Sequence, residues 1–227
     1  PVHSMDIRWI PYRAQEVFRQ PAAKPRPMKV LVISAASGRT AFDETPVSCR
    51  EIDDIPRSEL VDTYPDLAAP AADLYVGREH ETVEAAVDDL RAFATVDWYL
   101  LSAGYGLVPA DAELVAEECS FADIDGLRDR VAAIGYPAGE MTNREIRRTI
   151  GTELGIPARL HRAMKTGYDL VFVALPSDHF AAMAPALEAM DDDTTPIAIA
   201  ADSAADAIGG CHRLPATDRE RTLLGSN

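Results

Sequence analysis

Four short runs of apolar, largely β-branched residues recur along the chain, at 28–34 (MKVLVIS), 97–102 (DWYLLS), 169–175 (DLVFVAL) and 196–201 (PIAIAA). A strand with one wet face alternates apolar and polar residues, whereas a strand covered on both faces reads as a continuous apolar run. Each run therefore predicts a strand packed on both sides. Each is followed by small or polar residues and then a helical pattern. Between the first two, residues 79–94 set Val83, Ala86, Val87, Leu90 and Phe93 at helical spacing, with acids on the opposite face. Residues 125–134 and 178–190 read in the same way. Strands and helices alternating in this order predict an α/β fold: a three-layer, mostly parallel sheet of four to five strands flanked by helices, Rossmann-like in outline.

A chain of 227 residues is long enough for one core that buries about 70% of the unfolded surface. Residues 28–227 are expected to form a single α/β domain and residues 1–27 an N-terminal extension, since Pro21, Pro25 and Pro27 close that stretch just before Met28 opens the first strand. Within it, residues 6–20 carry Trp9, Tyr12 and Phe18 and read either as a short strand with a helical turn or as an appended, flexible stretch. No apolar run approaches the roughly 20 residues of a membrane helix, and no signal segment opens the chain, so a cytoplasmic protein with no membrane partner is expected. Cys49, Cys119 and Cys211 are widely spaced and show no CxxC or CxxH pattern, which suggests neither a disulfide framework nor a zinc cluster and fits a reducing compartment. His80-Glu81 lacks the second histidine of a metal-binding HExxH, and no G-x-S-x-G elbow occurs. No metal, cofactor or Ser-His-Asp triad is expected.

The net charge of −15 arises from 22 Asp and 15 Glu against 19 Arg and only three lysines, Lys24, Lys29 and Lys165. Such an Asp-rich, Lys-poor composition resembles that of proteins from salt-in halophiles, where hydrated carboxylates keep the protein soluble and salt screens their repulsion. It gives no support for nucleic-acid binding, which needs a basic stripe. The one basic concentration follows Thr142, which forms a capping box with Glu145. Arg144, Arg147 and Arg148 lie on the helix it opens, and Arg159, Arg162 and Lys165 on the next. This set reads either as a solvated face or as an anion-facing surface.

In an open α/β sheet the ligand sits outside the carboxyl ends of the strands, so the residues there are the candidates. After the first run come Ser34, Ser37, Gly38 and Arg39, where backbone N–H groups and a guanidinium would meet an anion. The spacing is neither a Walker loop nor G-x-G-x-x-G. After the second run, Ser102 to Gly106 (SAGYG) offers two hydrogen-bonding side chains, Ser102 and Tyr105, and glycines that permit close backbone approach. Tyr75, Gly77, Arg78 and His80 stand where the long helix opens. Ser177, Asp178 and His179 follow the third run, and Asp202 and Ser203 the fourth; Ser177 or Asp178 and Asp202 are expected as helix N-caps.

The combination of Leu74-Tyr75-Val76-Gly77 with Trp98-Tyr99-Leu100-Leu101-Ser102-Ala103-Gly104-Tyr105-Gly106-Leu107-Val108-Pro109 resembles an uncharacterised domain family distantly related to the bacterial peroxide-stress protein YaaA. The likeness covers about residues 28–136, with the Ser-Ala-x-Tyr-Gly-Leu core as its most specific part. The family's first strand ends in a Cys-Ser-x-x-Lys-like element, for which Ala35-Ala36-Ser37-Gly38-Arg39 stands here, without the cysteine. Its acidic-aromatic element is replaced by Val115-Ala116-Glu117-Glu118. A weaker likeness is to the archaeosine synthase core domain. Both resemblances imply nucleic-acid or nucleobase metabolism. The expectation is a nucleotide- or nucleobase-type ligand at the strand ends, held by Ser34, Ser37, Gly38, Arg39, Tyr75, Gly77, Arg78, Ser102, Tyr105 and Gly106, with Tyr75 or Tyr105 stacking on a base. Such a protein would bind alone or act on nucleosides or modified bases. The alternative is a non-enzymatic nucleic-acid-associated or stress-response protein contacting phosphate through the 144–165 helices, and a third reading is a structural interaction partner. Oligomeric state is not legible.

Overall fold

The computed structural model describes residues 26–42, 47–190, 196–200 and 211–215. The expectations for residues 1–25, Asp202 and Ser203 lie outside them. The first apolar run forms β1 (Met28–Ala35), which pairs in parallel with β3 (Ala94–Ser102) on one side and β6 (Leu170–Ala174) on the other. β7 (Ile197–Ala200) and β8 (His212–Pro215) extend the sheet beyond β6, also in parallel. β4 (Gly106–Pro109) folds back antiparallel on β3, giving the order β4-β3-β1-β6-β7-β8. All four expected strands are present. β4 and β8 raise the sheet to six because edge strands are short and lack the continuous apolar run that marked the centre. A two-stranded pair, β2 (Ala68–Pro70) with β5 (Glu113–Val115), lies apart from the main sheet.

β1 shows why its sequence is apolar throughout. Leu31 and Ile33 belong to one core, and Val30 and Val32 to the other, so the twofold alternation of a strand sends successive side chains into opposite layers. The Val30 side gathers residues of α2 (Arg57–Thr63), α3 (Ala71–Leu74) and α4 (Arg78–Arg91). The Leu31 side gathers residues of α5 (Ile124–Ala133), α6 (Asn143–Glu153), α7 (Ile156–Met164) and α8 (Ser177–Glu188). The sheet is thus the middle of three layers. A further short helix, α1 (Cys49–Asp54), precedes α2.

The expected Thr142–Glu145 capping box opens α6. α7 starts earlier than expected, since Gly155 takes the left-handed conformation and Pro157 fits the first helical turn, where its missing N–H costs nothing. α8 is preceded by Pro176, so neither Ser177 nor Asp178 is the N-cap; both lie inside the helix. α6 and α8 pack so closely that a Cβ on Gly151 would stand 2.0 Å from the Ala182 carbonyl oxygen. Among the described residues no helix is long and apolar enough to cross a membrane.

The parallel strands run β3-β1-β6-β7-β8. The chain leaves β1 to one side and later returns to its other side at β6. The strand order therefore reverses between β1 and β6, where a doubly wound sheet opens a crevice at its carboxyl edge.

Candidate functional site

The strand-end residues separate into an exposed rim and a closed inner cluster. At the rim, Ala36 still donates its N–H to the Leu101 carbonyl (3.0 Å), after which the chain turns through Ser37, Gly38 and Arg39. The Ser37 hydroxyl lies within hydrogen-bond reach of the carbonyls of Arg39 (2.5 Å) and Val76 (2.7 Å), and Val76 N–H donates to the Arg39 carbonyl (3.0 Å). These bonds fix the turn beside the start of α4. Gly77 precedes that helix with φ +130°, a conformation side chains rarely adopt, and provides no side-chain cap. Arg39 and Arg78 are both exposed, and a Cβ on Gly38 or Gly77 would meet nothing within 4 Å. Across the β1/β6 reversal, α8 also begins without a side-chain cap. Two helix N-termini, each a source of unpaired N–H groups and positive potential, thus follow directly on the rim segments.

The inner cluster centres on Glu117, which the sequence reading did not count as a site residue. Its Oε1 accepts from the Tyr75 hydroxyl (3.1 Å) and the Ser102 hydroxyl (3.1 Å), and its Oε2 from the Cys119 N–H. Ser102 Oγ in turn accepts from the N–H groups of Gly104 and Tyr105, both at 3.0 Å. Burial pushes the Glu117 carboxyl above its ordinary range, against the opposing pull of these donors and of the Arg130 charge. Burial, with Glu117 nearby, pushes the Tyr75 phenol well up and that of Tyr105 to about 12. Tyr75 is 1% exposed and Tyr105 6%, with its hydroxyl donating to the Val115 carbonyl (3.0 Å). Neither ring presents a face to a base from solvent, which corrects the stacking role expected of them. The run Leu114-Val115-Ala116 ending in an acid was the signal available for Glu117.

Ser34 is equally enclosed, its Oγ accepting from Trp98 Nε1 at 2.8 Å. His80, 4% exposed, places Nε2 2.8 Å from the Ala72 carbonyl and packs against Trp98 with the rings tilted by 35° and their centroids 5.2 Å apart, while its Nδ1 has no partner. Gly106 has φ +72°, and a Cβ there would press on the Leu154 carbonyl at 3.0 Å, so its backbone approaches α6 rather than a ligand.

The basic helices also differ from the expected open face. Arg147 donates from Nε to the Phe121 carbonyl (2.9 Å) and pairs with Asp178 at 3.0 Å. Arg148 binds Glu188 through both terminal nitrogens, at 2.8 and 2.7 Å. Arg159 donates to the carbonyls of Tyr105 (2.5 Å) and Leu107 (3.3 Å). Arginines spaced as a solvated stripe are here used to pin neighbouring segments, because each guanidinium satisfies carbonyls and carboxylates that the packing leaves over. Arg162 and Lys165 are exposed, and Arg144 is exposed and engaged.

Two further features were not foreseen. Cys49 and Cys119 form a disulfide, with Cα atoms 5.4 Å apart across 70 residues of sequence. Spacing along a chain does not reveal a pair that only the fold brings together. His179, near the start of α8, meets the Phe121 ring edge-on at 4.9 Å, and its Nδ1 is shielded without a partner. Burial, together with the Arg147 charge, pushes its imidazole down to about 4. Among the described residues no group of three or more His, Cys, Asp or Glu is arranged to hold a metal ion.

Fold and site together define a doubly wound α/β protein whose polar groups concentrate at the carboxyl ends of its parallel strands. Comparison with protein-family models, with curated proteins and with solved structures found no match to the chain in any of the three.

Proposed function

We propose that the rim binds the anionic end of a small ligand of the nucleotide or nucleobase class at the β1/β6 reversal. One observation carries this reading: the Ser37–Gly38–Arg39 turn is hydrogen-bonded to Val76 immediately before the uncapped start of α4. Exposed Arg39 and Arg78, together with open space over Gly38 and Gly77, leave N–H groups and guanidinium charge free to meet an anion. The recognition of a base falls to residues other than Tyr75 and Tyr105. The surrounding charge of −15 opposes an anion at long range. At about 1 M salt the screening length is only about 3 Å, so distant carboxylates drop out while direct N–H contacts persist.

The test is a thermal-shift screen in about molar KCl against nucleotides, nucleosides, nucleobases and short oligonucleotides. Nucleotides are expected to raise Tm by about 2–4 °C per kcal/mol of linked stabilisation. Arg39→Ala should remove that shift while leaving the Tm of the free protein unchanged. Silence from every small molecule, or a shift that survives both Arg39→Ala and Arg78→Ala, overturns the proposal. Stabilisation by oligonucleotides alone transfers the function to a nucleic-acid partner.

A further inference from the structure

The Cys49–Cys119 bond joins the short helix α1 to the segment that carries Glu117. α1 has six residues and buries none of them fully. Helices this short do not persist by themselves in water. Its other attachments include the Asp53–Arg130 ion pair at 2.6 Å, Ile52 and Ile55 packed on the core of the Val30 side, Ile52 also towards Gly104, and just before it the bridge between Val47 and Glu117, where Glu118 N–H donates to the Val47 carbonyl at 3.3 Å. Several of them converge on the inner cluster. A Cβ on Gly104 would stand 2.9 Å from Ile52 Cδ1, 3.2 Å from Cys119 Sγ and 3.4 Å from Glu117 Cδ. The Cys119 N–H donates to Glu117, so the bridge ties α1 to the backbone that covers the buried carboxyl. Both cysteines are half-buried, neither being enclosed in the core. Cys211 is the one other cysteine in the chain, and burial pushes its thiol up to about 11, so it is little ionised near neutral pH and does not compete as a nucleophile.

We propose that Cys49–Cys119 is a reversible thiol–disulfide exchange site for a small dithiol, and that its redox state sets how firmly α1 closes over the Glu117 cluster. In the reducing direction one thiolate of the dithiol attacks a protein sulfur, the protein S–S bond breaks, and the displaced thiolate takes a proton from water. The second thiolate of the reductant then attacks the mixed disulfide. This frees the other cysteine, which is protonated in turn, and leaves the reductant as a cyclic disulfide. Two electrons pass from the dithiol to the protein, and oxidation reverses each step. With the bond open, α1 is held by the Asp53–Arg130 pair, by the packing of Ile52 and Ile55 and by the backbone bridge at Val47.

The experiment equilibrates the folded full-length chain across ratios of reduced to oxidised dithiothreitol. Alkylation after denaturation then counts free thiols by mass, and hydrogen exchange reports on α1. The count is expected to move between one and three and back without loss of the fold. The Ile52 and Ile55 amides, which donate to the Ser48 and Glu51 carbonyls at the first and last turns of α1, should exchange roughly tenfold faster in the reduced protein, while those of β1 and β3 keep their rates. Cys119→Ser should show fast α1 exchange with no reductant present, and Asp53→Asn should accelerate it further in the reduced chain. A bond that resists dithiothreitol until the protein unfolds overturns the proposal. So does a bond that opens and closes while Ile52 and Ile55 exchange at the same rate in both states.

Discussion

The rim and the inner cluster are made from the same kinds of residue and differ in what faces them. Ser102, Tyr75 and Glu117 satisfy one another and the amides of Gly104 and Tyr105. The Ser37 hydroxyl and the Arg39 carbonyl fix the rim turn against Val76, while Arg39 and Arg78 are exposed and the space over Gly38 and Gly77 is open. The contrast teaches that position at a strand end does not make a polar residue available to a ligand. The hydroxyls of Ser102 and Ser37 both find partners in the chain; what differs is that exposed guanidinium groups and an uncapped helix start lie beside Ser37. The inner cluster should therefore govern stability, and the rim should govern binding.

Substitutions can break that division, and the largest effect is expected at its centre. Glu117→Leu removes the acceptor of the Tyr75 and Ser102 hydroxyls and of the Cys119 N–H, and should cost about 3 kcal/mol or more in urea denaturation. A loss comparable to that of a surface change would show the cluster to be dispensable.

The pH profile comes next. The Glu117 carboxyl binds its proton more tightly in the folded state than in the unfolded chain. That contribution is complete below the ordinary carboxylate value of about 4.3 and disappears as pH rises through the folded-state value. His179 acts in the opposite sense, since its folded value is held near 4 against an ordinary 6.5. Its contribution is present above about 6.5 and is lost as pH falls towards 4. Urea midpoints from about pH 4 to 8 should lose the alkaline decline in Glu117→Gln and the acid decline in His179→Leu. Arg39→Ala should leave both unchanged, which separates cluster from rim.

The smallest effects come from one substitution made in both places. Gly104→Ala must displace Ile52 and Cys119 and should cost about 1–2 kcal/mol. Gly38→Ala meets nothing and should change stability by no more than about 0.5 kcal/mol. Equal effects at the two sites would dissolve the distinction.

The sequence disclosed the central strands because burial on both faces demands an uninterrupted apolar run, as in residues 28–34 and 169–175. It disclosed the α6 start because a capping box is local. Its limit was reached where partners are distant. The turn at Ser37 and the hairpin at Ser102 could be placed at strand ends, yet the partners of their hydroxyls, Val76 for one and Glu117 for the other, lie in other segments that only the fold brings there. The arginines of α6 and α7 looked alike as a spaced series, and only the fold assigned Arg148 to Glu188 and Arg159 to the Tyr105 carbonyl. The joining of Cys49 to Cys119 was hidden for the same reason.

The placement of β1 between β3 and β6 also bears on how the chain acquires its shape during synthesis. Lys29 donates its backbone N–H to Asp169, 140 residues onward, and Val30 stands opposite Leu170. A nascent chain can join β1 to β3 and cover the Val30 side with α4, but the other edge of β1 stays open until β6 has left the ribosome, and the Leu31 side is completed only with α8. Closing so long a loop is slow, and for that interval the central strand presents an unpaired edge of the kind that chaperones shield from aggregation.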